Sequence, residues 1–214
     1  MQTNPLFSVV IPAHNQKDRL DATLASIAAC EFDLGQVEVI VVDDGSKDGT
    51  YEAFESRSYP FDFRIERVNY SSQSKTTNEA IRLARGTYVM SSAQDILFDP
   101  AMFRKHLAAH ERTPERDVVV LGNLPYPTDM DVTPFMFYLV NGGYQFAYFL
   151  IRDRFDVPPN FLYAPNFSVK REVFERVGLF DEEFPYGCQD TDLGFRFVEN
   201  GVRIVYEPEA VGYH

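Results

Sequence analysis

The chain is poor in cysteine and in positive charge, and each shortage argues against a class of function. Cys30 and Cys188 are the only cysteines and lie far apart, so they match no metal-binding spacing. We interpret them as free thiols in a reducing compartment rather than as a disulfide. The formal net charge of −12 argues against nucleic acid or an anionic lipid surface as a direct partner. A nucleotide ligand stays compatible with this charge if a metal ion supplies positive charge.

Long hydrophobic runs and a leader pattern are also missing. The first residues lack a basic region followed by an apolar stretch, so we expect no signal peptide and a cytoplasmic location. The most apolar segment, Phe135–Ile151, is too short and too interrupted by glycine and polar residues to span a bilayer. No repeat or low-complexity linker is present, and a length of 214 residues suits one domain over residues 1–214.

Short apolar runs alternate with helical patterns along the first half of the chain. Phe7–Ile11 and the start of Val37–Asp48 are the Val- and Ile-rich runs of strands that a parallel sheet buries on both faces. Leu20, Leu24 and Ile27 have helical spacing and predict a helix between these two runs. A second helix is predicted over Thr77–Arg85 and ends at Gly86, and Tyr88 begins a third strand. This alternation predicts an α/β fold with a Rossmann-like, mostly parallel sheet flanked by helices.

Carboxylates follow the second and third predicted strands. Asp43 and Asp44 end the second strand, and Asp95 follows the third. In open α/β sheets ligands bind at the carboxyl ends of the strands. Three carboxylates that converge there would repel one another without a cation, so we predict a divalent metal held by oxygen ligands. The alternative for Asp43 and Asp44 is that they cap the following helix.

These motifs resemble the family-two glycosyltransferases, which have the GT-A fold. FSVVIPAHN, VVDDGSKDGT and the N-E-A-x-x-x-A-R-G-x-Y pattern match the nucleotide-sugar half, residues 1–122. NFSVKREVFERVGLFDEEFPYGCQDTDLGFR and GVRIVYEPEAVGYH match the acceptor-side half, residues 123–214, although 123–160 lies outside the resemblance. An ending on a family motif leads us to expect a catalytic domain trimmed from a longer protein.

The resemblance implies an inverting transferase that moves a sugar from a nucleoside-diphosphate sugar, in the first place a UDP-sugar, to an acceptor hydroxyl. The acceptor would be a glycan, a lipid-linked molecule or a small molecule. Asp190 matches the family's general base. Asp95 matches the last carboxylate of the DxD motif that binds Mg²⁺ or Mn²⁺, and His214 matches a histidine that joins the metal or diphosphate site in some members. A metal-bound diphosphate needs no acid to leave, so a single base suffices.

The resemblance also implies binding residues, which are assigned by their places in the matching motifs. Donor contacts are assigned to Pro12, Ala13, Asn15, Asp43, Asp44, Asn78 and Gln94. Acceptor contacts are assigned to Gln189, Asp192 and Asn166.

The chain departs from the family pattern at two of these motifs. The DxD triplet reads Ala93-Gln94-Asp95, so its first carboxylate is missing, and the E-D pair reads Gln189-Asp190. These changes leave open a second function, a module of the same fold that binds a nucleotide sugar without turning it over. A nucleotidyltransferase is disfavoured because the loop PAHNQKDR has no glycine.

Three further segments each allow two interpretations. For Phe135–Ile151 we favour a helix packed on the sheet. The alternative is a binding surface: an aromatic wall that holds the acceptor, or a patch that contacts a partner domain or a lipid-linked acceptor on the cytoplasmic face of a membrane. His106 and His110 have a spacing that can bind metal, but we interpret them as a solvated helix face. Asp190 is predicted to open a helix after the turn 185–187, with Leu193, Phe195, Phe197 and Val198 on its apolar face.

Overall fold

The apolar runs of the sequence form the centre of one mixed sheet. In the computed structural model, which describes residues 4–112, 114, 117–184 and 187–214, eight strands pair in the order β3-β2-β1-β4-β7-β6-β8-β5. The strands are β1 Phe7–Ala13, β2 Val37–Asp44, β3 Asp62–Val68, β4 Tyr88–Ser92, β5 Leu97–Phe98, β6 Val118–Asn123, β7 Asn166–Lys170 and β8 Arg203–Tyr213. The helices are α1 Lys17–Ala28, α2 Thr50–Phe54, α3 Gln73–Leu83, α4 Met102–Glu111, α5 Pro134–Asn141, α6 Val173–Val177 and α7 Gln189–Glu199.

The arrangement of β1 to β4 confirms the Rossmann-like prediction. β1 pairs in parallel with both β2 and β4, and β2 pairs in parallel with β3. Every residue of β2 is buried, as a strand covered on both faces requires. β7 lies antiparallel between β4 and β6, which makes the sheet mixed. The carboxyl ends of β1, β2 and β4 therefore open side by side at one edge.

Helix boundaries around α3 differ from the prediction in two ways. α3 begins at Gln73 rather than Thr77, because the Ser72 side chain accepts a hydrogen bond from the Lys75 N–H and caps the helix there. Gly86 does not cap its end. A Cβ at Gly86 would lie 2.6 Å from Ser8 Oγ, so this glycine is required by the close approach of β1.

The two histidines of α4 are buried, so the prediction of a solvated helix face is wrong. His106 is 0% exposed and His110 is 3% exposed. His106 Nδ1 lies 2.8 Å from Ser168 Oγ, and His110 Nε2 lies 2.9 Å from the same oxygen. His110 also stacks on the Tyr88 ring with centroids 4.2 Å apart. Burial lowers the pKa of His106 to about 4 and that of His110 to about 3, so both rings are neutral near pH 7.

α5 does not pack on the sheet, so the favoured interpretation of Phe135–Ile151 is wrong for its helical part, whereas Tyr148 and Ile151 do pack against the core. No residue of α5 is buried, and Thr133 caps the helix by accepting a hydrogen bond from the Met136 N–H. Phe135 is 67% exposed and Tyr144 is 70% exposed. Aromatic surface of this extent on a folded domain usually marks a binding site. Within the described ranges of the chain, no helix is long and apolar enough to cross a membrane.

α7 packs with a narrower apolar face than predicted. Leu193, Gly194 and Phe197 are buried, whereas Phe195 is 48% exposed and Val198 is 43% exposed. The helix begins at Gln189, so the first turn holds Asp190 as expected. The predicted turn before it includes residues 185 and 186, which lie outside the described part of the chain.

Candidate active site

The loops after β1 and β2 form the first wall of the cleft. Asn15 adopts a positive φ of 51°, and its side-chain oxygen accepts a hydrogen bond from the Lys47 N–H at 2.7 Å. The Asn15 N–H donates to Ser46 Oγ at 2.8 Å. Asn15 thus ties the two loops together. Pro12 is half-buried, and Ala13 is buried at the end of β1.

The adjacent carboxylates of β2 make different contacts. Asp44 accepts hydrogen bonds from the backbone N–H groups of Tyr70, Ser71 and Ser72 at 2.6, 3.0 and 3.0 Å, and it holds the loop before α3. Burial by itself raises the pKa of Asp44, but these bonds outweigh it and hold the pKa below its usual value. Asp44 keeps 9% of its surface exposed.

Asp43 lies one residue earlier and is fully buried. Its Oδ1 accepts a hydrogen bond from the Ser46 hydroxyl. Its Oδ2 is buried without a hydrogen-bond partner, and Arg67 Nε lies 3.7 Å away. Asp44 therefore orders a loop, whereas Asp43 retains an oxygen without a hydrogen-bond partner.

Gln94 joins the first loop to the segment after β4. Its side-chain oxygen accepts from the His14 N–H at 2.9 Å, and its side-chain nitrogen donates to the His14 carbonyl at 3.1 Å. Both polar atoms of this side chain are thus bonded to the protein's own backbone. Gln94 therefore ties the loop after β1 to the segment after β4, and both of its side-chain polar atoms already have a partner in the protein.

Asp95 and His214, the two predicted metal ligands, lie close together. Asp95 Oδ2 is 3.9 Å from His214 Nε2, and the Asp95 side chain is 20% exposed. Arg19 Nη1, which the sequence did not single out, lies 3.4 Å from the same carboxylate oxygen. The edge of the Phe146 ring packs on the His214 ring with centroids 5.3 Å apart. Among the described residues, no group of three or more His, Cys, Asp or Glu side chains is arranged to hold a metal.

Asp190 lies in the first turn of α7 with its carboxylate partly exposed. Oδ1 accepts a hydrogen bond from the Thr191 N–H at 2.8 Å, and Oδ2 accepts from the Ala164 N–H at 3.4 Å. Neighbouring Gln189 is buried; its side-chain nitrogen donates to Gln73 Oε1 at 3.2 Å, and its own side-chain oxygen has no partner. The amide of Gln189 therefore faces α3, whereas the Asp190 carboxylate faces the backbone at Ala164.

Asn78, one of the residues predicted to contact the donor, is buried and bonded to the protein's own backbone. Asn78 is 1% exposed, donates to the Phe180 carbonyl at 2.8 Å and accepts from the Phe180 N–H at 3.0 Å. Its side chain fixes the loop that leads towards α7.

Asn166, one of the residues predicted to contact the acceptor, is also buried. Asn166 is 0% exposed, and its side-chain nitrogen donates to the carbonyls of Asn123 and Ala210, each at 3.0 Å. Its side-chain oxygen lies 3.0 Å from His106 Nε2. The residue therefore satisfies buried polar groups between β6, β7 and β8.

The remaining predicted acceptor residue, Asp192, forms an ion pair within its own helix. Its Oδ2 accepts from Arg196 Nε at 2.8 Å, with Arg196 Nη2 also at 2.8 Å. This pairing leaves Asp190 as the first-turn carboxylate of α7 that no basic side chain engages among the described residues.

A mixed sheet with acidic residues at the end of β2 and after β4, and a further carboxylate in the first turn of α7, is the arrangement expected of a GT-A fold. The chain belongs to glycosyl transferase family 2, whose family model matches residues 8–178. It resembles the uncharacterized glycosyltransferase YfnE of Bacillus subtilis, with 30% identity over 97% of this chain and 64% of the relative. It also resembles validoxylamine A glucosyltransferase of Streptomyces hygroscopicus subsp. jinggangensis, with 29% identity over 97% of this chain and 55% of the relative. The chain thus spans between half and two thirds of these relatives.

Solved structures show the same fold at low sequence identity. TarS 1-349 of S. aureus in complex with UDP-GlcNAc superposes with a TM-score of 0.77 at 20% identity, over 97% of this chain and 58% of that one. The mannosyltransferase PcManGT of Pyrobaculum calidifontis, in complex with GDP-Man and Mn²⁺, gives a TM-score of 0.74 at 20% identity, over 99% of this chain and 57% of that one. These similarities confirm the predicted mixed α/β architecture.

Proposed function

We propose that this chain is the catalytic domain of an inverting glycosyltransferase that uses a nucleoside-diphosphate sugar. A continuous series of contacts between the predicted metal side and the predicted base carries this proposal. Phe146 packs on His214, and Tyr163 packs on Phe146 with ring centroids 5.3 Å apart. The next residue, Ala164, donates its N–H to Asp190. The predicted metal ligand His214 and the predicted base Asp190 are therefore connected by one series of packed residues.

The donor would bind at the carboxyl ends of β1, β2 and β4. The loops held by Asn15 and Asp44 would receive the base and ribose, and the segment at Asp95 would receive the diphosphate. The structural neighbours bind UDP-GlcNAc and GDP-Man, and one relative is named as a glucosyltransferase. These names support a nucleotide-activated hexose, and we take a UDP-sugar as the first donor to test.

Asp95 and His214 fit a divalent cation as two protein ligands. A carboxylate oxygen and an imidazole nitrogen are ligands that Mn²⁺ accepts, and Asp95 Oδ2 lies 3.9 Å from His214 Nε2. With Ala93 in place of the first carboxylate, the donor's diphosphate oxygens and water would fill the other positions. When bound, the cation would neutralise the charge that develops on the departing diphosphate.

Asp190 would act as the base. Its carboxylate would take the proton of the acceptor hydroxyl while that oxygen forms its bond to the anomeric carbon. The bond from the anomeric carbon to the diphosphate oxygen breaks on the opposite side, so the configuration inverts. The N–H groups of Thr191 and Ala164 hold the carboxylate in place.

The test is Asp190→Asn with Asp192→Asn as its matched control on the same helix turn. Loss of a general base typically lowers the rate by about 10²–10⁴-fold, so Asp190→Asn should show that loss in sugar transfer while UDP-sugar binding by calorimetry stays within about two-fold. Asp192→Asn should keep most of the rate. Full activity in Asp190→Asn would refute the assignment.

A second function, binding without turnover, is favoured by one observation. Arg19 lies on the carboxylate that the family uses for metal, and the first DxD carboxylate is absent. If the protein binds nucleoside diphosphates but releases none from any nucleotide sugar in the presence of Mn²⁺, the binding module is the correct description.

A further inference from the structure

We propose that the acceptor is an uncharged, polyhydroxylated ring, such as a neutral sugar or a cyclitol, held in an aromatic cavity beside Asp190. This inference rests on the proposed function and names the substrate class of the same site. The cavity has a volume of about 410 Å³ and is lined in part by Tyr144, Gln145, Phe146, Asn160 and Phe161. Pockets of roughly 300–1,000 Å³ accept small organic ligands, so one or two sugar rings fit.

Two residues that line the cavity, Phe146 and Tyr163, contact or directly precede residues that contact the predicted site. Tyr163 lines the cavity, and its hydroxyl accepts a hydrogen bond from the Ala147 N–H at 2.9 Å, which fixes the ring. Phe146 lines the cavity and also touches His214 on the predicted metal side. Ala164, which follows Tyr163, donates to Asp190. A ring bound in this cavity would therefore lie next to both the base and the departing diphosphate.

The lining chemistry favours a neutral carbohydrate. Its aromatic side chains offer apolar faces, on which the C–H faces of a sugar ring stack. Gln145 and Asn160 add side-chain amides, which both donate and accept hydrogen bonds and so match hydroxyl groups. No residue lining this cavity carries a charge, so nothing in the lining would pair with a phosphate or a carboxylate of the acceptor.

The aromatic surface continues outward from the cavity along α5. Tyr144 lines the cavity mouth and is 70% exposed, and its ring lies against Tyr138 with centroids 5.3 Å apart. The two hydroxyl groups are 3.3 Å apart. Paired tyrosines present flat apolar faces with polar edges, so a longer neutral glycan can extend across them from the cavity.

The experiment uses Tyr144→Ala and Asn160→Ala, because both side chains are exposed and their loss leaves the core intact. Phe155→Ala is the matched control, an aromatic residue that is 51% exposed and outside the cavity. Release of UDP from a UDP-sugar is measured alone and with two acceptor panels. One panel holds methyl glycosides, disaccharides and inositol; the other holds hexose 6-phosphates and uronic acids. Binding of the neutral panel to the Asp190→Asn protein is followed by saturation-transfer NMR.

We expect the neutral panel to accelerate UDP release and to show NMR contacts. Each cavity variant should raise the acceptor KM by about three- to ten-fold with little change in kcat or in UDP release without acceptor. The control should behave as the unaltered protein. Acceleration by the charged panel only would overturn the inference. So would binding to phosphatidylcholine vesicles that Tyr144→Ala abolishes, without any response to neutral sugars. If no UDP is released under any condition, the proposed function itself fails.

Discussion

Acid should destabilise this protein through the two buried histidines of α4. His106 and His110 share Ser168 as a hydrogen-bond partner, and neither ring reaches solvent. Burial is the main cause that lowers both pKa values, and His106 and Lys170 lower that of His110 further. Glu207 and the hydrogen bond with Asn166 oppose the shift at His106 without cancelling it.

The size of the effect follows from the pKa values in the two states. An unfolded histidine titrates near 6.5, whereas the folded values are about 4 for His106 and about 3 for His110. Because the folded pKa is lowered, the unfolded chain binds protons first, and stability falls as the pH drops below 6.5. Between pH 7 and pH 5 each histidine should remove about 2 kcal/mol of unfolding free energy, so the pair removes about 4 kcal/mol.

Urea unfolding at pH 7, 6 and 5 measures this loss, and His110→Phe isolates half of it. The phenyl ring can keep the stacking on Tyr88, while the titrating group is removed. The variant should lose about 2 kcal/mol less than the unaltered protein between pH 7 and pH 5. Val120→Ala, a cavity variant in the cluster that contains Ala109, should lower stability equally at each pH. Parallel pH curves for His110→Phe and the unaltered protein would refute the reasoning.

Three further predictions concern the cleft. Asp44→Asn should lower the free energy of unfolding by about 1–3 kcal/mol, because the new side-chain NH₂ group would face backbone N–H groups whose hydrogen bonds Asp44 now accepts. Equal losses from Asp43→Asn and Asp44→Asn in urea unfolding would contradict the different contacts of the two residues. Asp95→Ala should abolish the Mn²⁺-dependent part of UDP binding, and calorimetry that shows the same affinity with and without Mn²⁺ in the unaltered protein would disprove the metal site. Iodoacetamide should modify Cys188, which is exposed, but not Cys30, because burial raises the pKa of Cys30 to about 12. The modification should slow sugar transfer because Cys188 directly precedes α7. Mass spectrometry identifies the modified cysteine, and the Cys188→Ser variant should resist the inhibition.

Much of the fold could be predicted because the central strands are read from local composition. The runs at β1 and β2 are centred on Val and Ile, and strands covered on both faces need such runs. Leu20, Leu24 and Ile27 repeat at helical spacing, and all are fully buried in α1. The carboxylates after β2 and β4 could be placed because β1 lies between those strands in a parallel arrangement.

The details that could not be predicted depend on partners distant in sequence. A buried polar side chain looks the same in sequence as an exposed one, and the Ser168 and Asn166 partners of His106 lie about 60 residues away. Gly86 likewise matched a helix end, whereas its true constraint is the neighbouring strand at Ser8. Arg19 gave no signal because its contact with Asp95 arises from the packing of α1 beside β5, which begins two residues after Asp95 in the chain.

The contact between α7 and the rim of the aromatic cavity constrains how this protein can be redesigned. A Cβ at Gly194 would lie 2.3 Å from the Pro159 carbonyl oxygen, so the helix that carries Asp190 packs directly on the backbone of Pro159–Phe161. Single substitutions of side chains that line the cavity leave this backbone contact in place, so laboratory evolution can test such substitutions one at a time. A graft of the whole segment from a relative would shift Pro159, and with it the helix that carries Asp190. Chimeras that aim at new acceptors therefore have to transfer α7 together with the segment.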